Sequence, residues 1–300
     1  KVFHGADYDV RSMFRDFNIE IYNLFDTELA SRFLGMHHTS LEAVLDDRFD
    51  VVLDKRFQKK DWSQRPLPEH MVTYAASDAC FLVPLAGELE KDLRRKKRLS
   101  WVKEECEWLS RVRPATNGQG PLFLNFKGAG RLKPIDLVVL EALLQYRHRV
   151  AVATDRPLFK TIGNTALLTL TKSKPTGLKQ LKATRALSPR QNQQYGADVI
   201  ATIEAALKTP ADQHPVYPRK RAPSLKPVVS RRIKELKTWR DAKAASLEID
   251  PSLVLTKLLI YDIAKKNPGS IQQIKSIEGL RNWRVREFGR EIIELLKNLR

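Results

Sequence analysis

Residues 61–82 read DWSQRPLPEHMVTYAASDACFL. Pro68 stands at the first turn of a helix, where a missing backbone N–H costs nothing. Residues four apart lie on one helical face, so Tyr74 and Asp78 face the same point in space. One helix thus presents a phenol and a carboxylate together. The helical pattern continues towards KDLRRKKR, with Pro84 imposing a break or kink, and resumes at SWVKEECEWLSRV.

Upstream of this stretch the pattern alternates between strand and helix. Val2-Phe3 reads as a short buried strand, and DYDVRSMFRDF as a helix with apolar Val10, Met13, Phe14 and Phe17 on one side. IEIYNLFD is β-rich, TELASRFLG is a short helix stopped by Gly35, and Ser40 is placed to cap LEAVLDDRF. Residues 49–66 read as an extended, charged loop. Asp26-Thr27-Glu28 has the composition of a metal-binding Asp-x-Glu pair, yet it lies between a strand and a helix. Asp26 or Thr27 suits the helix cap and Glu28 complements the helix dipole, so the triplet reads as a helix start.

Charge divides the chain. Residues 1–115 hold 19 Lys and Arg against 20 Asp and Glu, whereas residues 116–300 hold 34 against 15. A near-neutral part followed by a strongly basic one points to a module that grips a polyanion, nucleic acid above all. No apolar run reaches the roughly 18 residues of a membrane helix. Cys80 and Cys106, without a CxxC spacing, exclude a disulfide framework or a cysteine zinc site, so a reducing, cytoplasmic setting is expected.

The basic part repeats itself at an offset of 93. Tyr146-Arg147 answers Trp239-Arg240, Pro175 answers Pro268, Gly196 answers Gly289, and Leu178 and Leu181 answer Ile271 and Ile274. Both copies carry helical patterns separated by polar turns, so the region is two copies of one small helical domain. RPATNGQGPLFLNFKGAGR (113–131) reads as a linker before the first copy. The Pro-rich basic stretch 209–229 reads as a semi-rigid spacer before the second.

VFHGADYDVRSMFRDF, NLFDTELASRFLG and DWSQRPLPEHMVTYAASDACFL together resemble the ribonuclease D family of DEDD 3′–5′ exonucleases, and the repeated units resemble HRDC domains. The resemblance covers nearly the whole chain. It implies an α/β class: a ribonuclease H-like exonuclease core, incomplete at its N-terminal side, followed by two all-α HRDC-like bundles. The expected parts are 1–112, the C-terminal part of the exonuclease domain; 113–131, a linker; 132–208, the first HRDC-like domain; 209–229, a linker; and 230–300, the second HRDC-like domain.

Carried over by position, Asp9 matches the acid of the family's second motif, and Tyr74 and Asp78 the third, Tyr-x-x-x-Asp. The sister branch has a histidine where this chain has Thr73, which places it in the tyrosine branch. The resemblance implies two-metal hydrolysis with Mg²⁺ or Mn²⁺, Asp9 and Asp78 among the metal ligands, and Tyr74 orienting the attacking water. It implies RNA as the partner, with trimming of 3′ ends that includes tRNA precursors, and a monomer is expected.

The family's first motif, an Asp-x-Glu on the first strand, has no match here. Two strands also rarely make a stable sheet. The expectation is therefore that further strands and that acid pair lie upstream of Lys1. Without them Asp9 and Asp78 are too few for two ions, and the alternative is a nucleic-acid-binding protein without catalysis. A single-stranded DNA exonuclease is a third reading.

Candidate phosphate contacts are Arg65 in the RPL turn, Lys172, Lys174, Lys179, Lys182 and Arg185 in the first repeat, and Arg281, Arg284 and Arg286 in the second. Trp283 among them reads as core, Trp62 as a packing anchor, and His37-His38 as a surface turn. His4 reads as packing, His70 sits one turn before Tyr74, and the basic run 93–98 suits either a solvated helix face or the substrate path.

Overall fold

The structure, a computed structural model, describes residues 1–53, 55–58, 60–114, 120–218 and 225–299. Residues 115–119 and 219–224 of the two expected linkers lie outside the described residues, as do 54 and 59 of the charged loop. The chain forms two compact units: Lys1–Pro114 with Ser224–Arg300, and Ala115–Pro223.

The first unit opens with β1 (Val2–Phe3), α1 (Asp7–Phe17) and β2 (Phe25–Asp26). The strands pair in parallel, Val2 opposite Phe25 and Phe3 opposite Asp26. α1 follows the expected bounds and turns out through Asn18 in the left-handed region. Of the β-rich run IEIYNLFD only Phe25 and Asp26 are strand, because β1 offers them just two residues of ladder. α2 (Thr27–Leu34) ends at Gly35, and α3 (Leu41–Phe49) is capped by the Ser40 hydroxyl, which accepts from the Ala43 N–H.

The expected long helix is two: α4 (Glu69–Cys80) and α5 (Leu82–Arg95). Pro84 explains the place of the break. Its ring would meet the carbonyl four residues earlier, that of Cys80, where α4 stops. Leu85, Leu89 and Leu93 recur every fourth residue and are fully buried, along with Phe33 of α2. α6 (Leu99–Leu109) follows.

The second unit holds the first repeat: α7 (Pro134–Ala153), α8 (Leu158–Thr161), α9 (Asn164–Ser173), α10 (Leu178–Ala183) and α11 (Pro189–Leu207). α11 starts in a capping box. The Ser188 hydroxyl accepts from the Gln191 N–H at 3.2 Å and the Gln191 side chain accepts from the Ser188 N–H at 3.0 Å. The inner ends of both Pro-rich segments are packed rather than spaced out. Phe123, Phe126 and Ala129 are buried, the Phe123 N–H donates to Glu141, and the Tyr217 hydroxyl donates to the Leu124 carbonyl at 3.1 Å.

The second repeat lies in the first unit: α12 (Pro227–Leu247), α13 (Pro251–Val254), α14 (Lys257–Lys266), α15 (Ile271–Lys275) and α16 (Asn282–Lys297). Helix for helix it answers α7–α11, and the 93-residue offset persists in backbone detail. Lys174 and Asn267 both end their helices in the left-handed region. A Cβ on Gly196 would sit 3.3 Å from Leu181, and one on Gly289 3.2 Å from Ile271. That close approach explains the glycine in each copy.

α16 packs on α6. The Trp101 and Trp283 rings stack at 4.6 Å with 16° between their planes, and Phe33 meets both edge-on. Glu104 accepts from the Trp283 N–H at 2.9 Å, and Glu105 from the Trp283 indole at 2.8 Å. Arg98, 7% exposed, donates to the Phe33 carbonyl ending α2 and to the Leu247 carbonyl ending α12. The second repeat and the exonuclease-like segment therefore share one core.

Candidate active site and nucleic-acid interface

Asp9 sits in the first turn of α1, half-buried, and burial raises its pKa above the ordinary carboxylate range, with the Asp26 charge adding to that rise. Asp78 is also half-buried in α4. Burial raises its pKa too, while a hydrogen bond from Tyr74 works in the opposite sense. The expected one-face pairing of Tyr74 with Asp78 is thus present.

Rings surround Tyr74. Trp62 lies 5.9 Å away and Phe57 6.0 Å, and the Trp62 indole N–H is fixed on the Phe57 carbonyl at 3.2 Å. His70 is exposed, and its ring lies 4.8 Å from that of Phe57. Trp62 is the anchor its reading suggested. Phe57 was passed over in the sequence, because a lone aromatic in a charged loop carries no periodic signal.

Asp26 settles the status of Asp26-Thr27-Glu28. It is 2% exposed and its carboxylate accepts four backbone N–H groups: Gly5 and Ala6 at the turn into α1, Glu28 and Leu29 at the start of α2. Four donors leave little lone-pair capacity for a cation. Thr27 donates to the Phe3 carbonyl and meets His4 Nδ1, whose other ring nitrogen meets the Thr39 carbonyl. Burial lowers the His4 pKa, in keeping with a packed, neutral imidazole. The triplet ties β1, α1 and α2 together and is no metal pair.

Among the described residues, no group of three or more His, Cys, Asp or Glu side chains is gathered to hold a metal ion. A two-ion site needs several carboxylates. Asp9 and Asp78 alone, on separate helices, do not fit that requirement.

The basic candidates separate into three groups. Lys172, Lys179, Lys182 and Arg185 are exposed around the α9–α10 turn, and Lys174 there is half-buried against Asp136. Arg65 is exposed, its guanidinium folded onto the Trp62 and Gln64 carbonyls. In the second repeat, Arg286 is exposed with Glu104 3.8 Å away, but Arg284 is 6% exposed. It donates to the Leu253 and Val254 carbonyls and pairs with Glu105. Arg284 as a phosphate contact is therefore corrected: its donors are spent inside the core. Arg281 shares Glu105 and lies over the Trp108 ring at 4.1 Å, half-buried. His37 and His38 are exposed in a turn.

A family model described as 3′-5′ exonuclease matches residues 1–94, and one described as HRDC domain matches 136–203 and 230–296. The chain is 27% identical to ribonuclease D of Pseudomonas paraeruginosa over 300 residues, covering 99% of this chain and 78% of that protein. It is 30% identical to ribonuclease D of a Shewanella species over 217 residues, covering 72% of this chain and 54% of that protein. The crystal structure of Escherichia coli RNase D matches with a TM-score of 0.63 at 22% identity, over 99% of this chain and 79% of that one.

Exonuclease segment and paired HRDC domains thus define a DEDD-type 3′–5′ exonuclease architecture. The chain belongs to the ribonuclease D family of 3′–5′ exonucleases with tandem HRDC domains.

Proposed function

We propose that the protein is a 3′–5′ exoribonuclease that trims RNA 3′ ends, tRNA precursors among them, by divalent-metal-dependent hydrolysis with Mg²⁺ or Mn²⁺. The observation that carries this reading is the Tyr74–Asp78 pair on α4, in the spacing the family's third motif requires. The Tyr74 hydroxyl donates to Asp78, and its oxygen is of the type that accepts from an attacking water and orients it. Asp9 and Asp78 are two of the carboxylates the hydrolysis needs. The basic surface around Lys172, Lys179, Lys182 and Arg185 grips phosphate, and so does Arg65, which lies against Trp62. A monomer in the cytoplasm is the setting that fits; no helix of the described residues is long and apolar enough to cross a membrane.

The test is 5′-end-labelled RNA incubated with the protein and Mg²⁺ or Mn²⁺. A ladder shortening from the 3′ end, abolished by Asp78→Asn, is the expected result. Absence of the ladder, or a ladder indifferent to Asp78→Asn, overturns the reading.

A further inference from the structure

The two HRDC repeats correspond residue for residue around one face. α8 and α13 are each four residues long and are followed by extended Ile162 and Leu255, 93 apart. The Gln191 side chain donates to the Thr161 carbonyl at 2.9 Å, and Arg284 to the Val254 carbonyl at 3.0 Å, both pairs again 93 apart. The frame is the same, so the side chains it displays can be compared directly.

In the second repeat this face is apolar and covered. Trp283 is fully buried on Trp101, and Leu253 is 6% exposed. At the same two positions the first repeat carries Arg190 and Lys160, both exposed. Beside them Arg156 is exposed, and Phe159 shows 72% of its surface to solvent. The sole acid in the 154–160 turn is Asp155. A face built to dock onto protein in one copy has exchanged its apolar anchors for cations in the other and added an open aromatic ring.

We infer that the Phe159 face of the first HRDC repeat is a binding site for single-stranded RNA, separate from the α9–α10 lysines. A nucleobase stacks on Phe159 while Arg156, Lys160 and Arg190 meet the flanking phosphates. Charge complementarity favours this occupant over a protein partner: three cations against one acid suit a polyanion, and an exposed ring among them suits any base. The inference rests on the RNA-trimming reading above and extends it to where the strand is held.

The test measures the affinity of the 300-residue chain for a fluorescein-labelled 20-mer of oligouridylate, in EDTA to prevent cleavage, over a series of salt concentrations. Phe159→Ala is expected to weaken binding at least about fivefold with the salt slope unchanged. Lys160→Gln with Arg190→Gln is expected to reduce the slope of log K against log salt by about 1.4, the value for two phosphates of a single strand. These side chains are exposed, so the variants keep the fold, checked by circular dichroism. Affinities and slopes matching those of the unmodified chain overturn the inference. So does a Phe159→Ala protein that binds RNA normally but loses self-association in sedimentation, which makes the face a protein contact. If the unmodified chain trims and binds RNA and the variants do so equally, this site alone fails. If the unmodified chain binds no RNA, the exoribonuclease reading fails with it.

Discussion

Trp101 of α6 and Trp283 of α16 lie face to face, ring centroids 4.6 Å apart, with Phe33 set edge-on against both. This stack joins the second HRDC repeat to the exonuclease-like segment. Trp283 is fully buried, so truncation removes a large apolar volume and leaves a cavity. Trp283→Ala is expected to cost the first unit about 3–5 kcal/mol. Urea unfolding followed by circular dichroism checks it, and a loss below about 1 kcal/mol contradicts the shared core.

Glu105 and Arg284 form the polar counterpart of that stack. Burial lowers the Arg284 pKa, and the Glu105 charge works against that fall. Removing the carboxylate leaves a buried guanidinium without its counter-charge, so Glu105→Ala is expected to destabilise by about 3–5 kcal/mol. Glu105→Leu with Arg284→Met, which removes both charges, recovers most of that loss. RNA affinity of the folded double variant stays that of the unmodified chain; a marked fall restores Arg284 to the binding surface.

Asp26 and Glu28 separate structure from chemistry. Asp26→Ala strips four N–H groups of their acceptor, at about 1–3 kcal/mol for each group left buried and unsatisfied. It lowers thermal stability sharply. Glu28→Ala is close to neutral for stability and leaves 3′-end trimming intact. Trimming abolished by Glu28→Ala, in a protein as stable as its parent, identifies a metal ligand after all.

Asp78 gives a pH signature. Its raised pKa means the folded state holds the proton more tightly than the unfolded chain does. That contribution to stability is present below the ordinary aspartate value, about 3.9, and is lost as pH rises through the raised one. Asp78→Asn is therefore expected to raise the melting temperature at pH 7, with a smaller gain near pH 3, while abolishing trimming. Tyr74→Phe removes the hydrogen bond that opposes the rise, and so moves the pH at which that stability is lost upward in the metal-free protein. A stability profile that stays in place separates Tyr74 from Asp78.

The repeat was legible because its markers are backbone requirements. A Cβ at Gly196 or Gly289 would crowd Leu181 or Ile271, and Pro134 and Pro175 recur as Pro227 and Pro268. Tyr74 and Asp78 were legible because helical period alone brings them together. Arg284 was not, since a run of arginines on a helix does not reveal which of them turns inward. Nor were Phe123 and Phe126: Gly and Pro mark the absence of a long helix or strand, and say nothing about whether the neighbouring rings pack. Pro84 marked the break, and the clash of its ring with the Cys80 carbonyl puts it there.

The first unit is assembled from two stretches of the chain, Lys1–Pro114 and Ser224–Arg300, and the second unit from the residues that separate them in sequence. On the ribosome, Trp101 emerges long before its stacking partner. For the time taken to make the intervening residues, the exonuclease-like segment carries Phe33 and Trp101 uncovered, while the first HRDC repeat, continuous in sequence, can already close on itself. The segment that bears Tyr74 and Asp78 thus completes its core last although it is made first, and a nascent chain halted before Trp283 exposes the surface that a chaperone would hold.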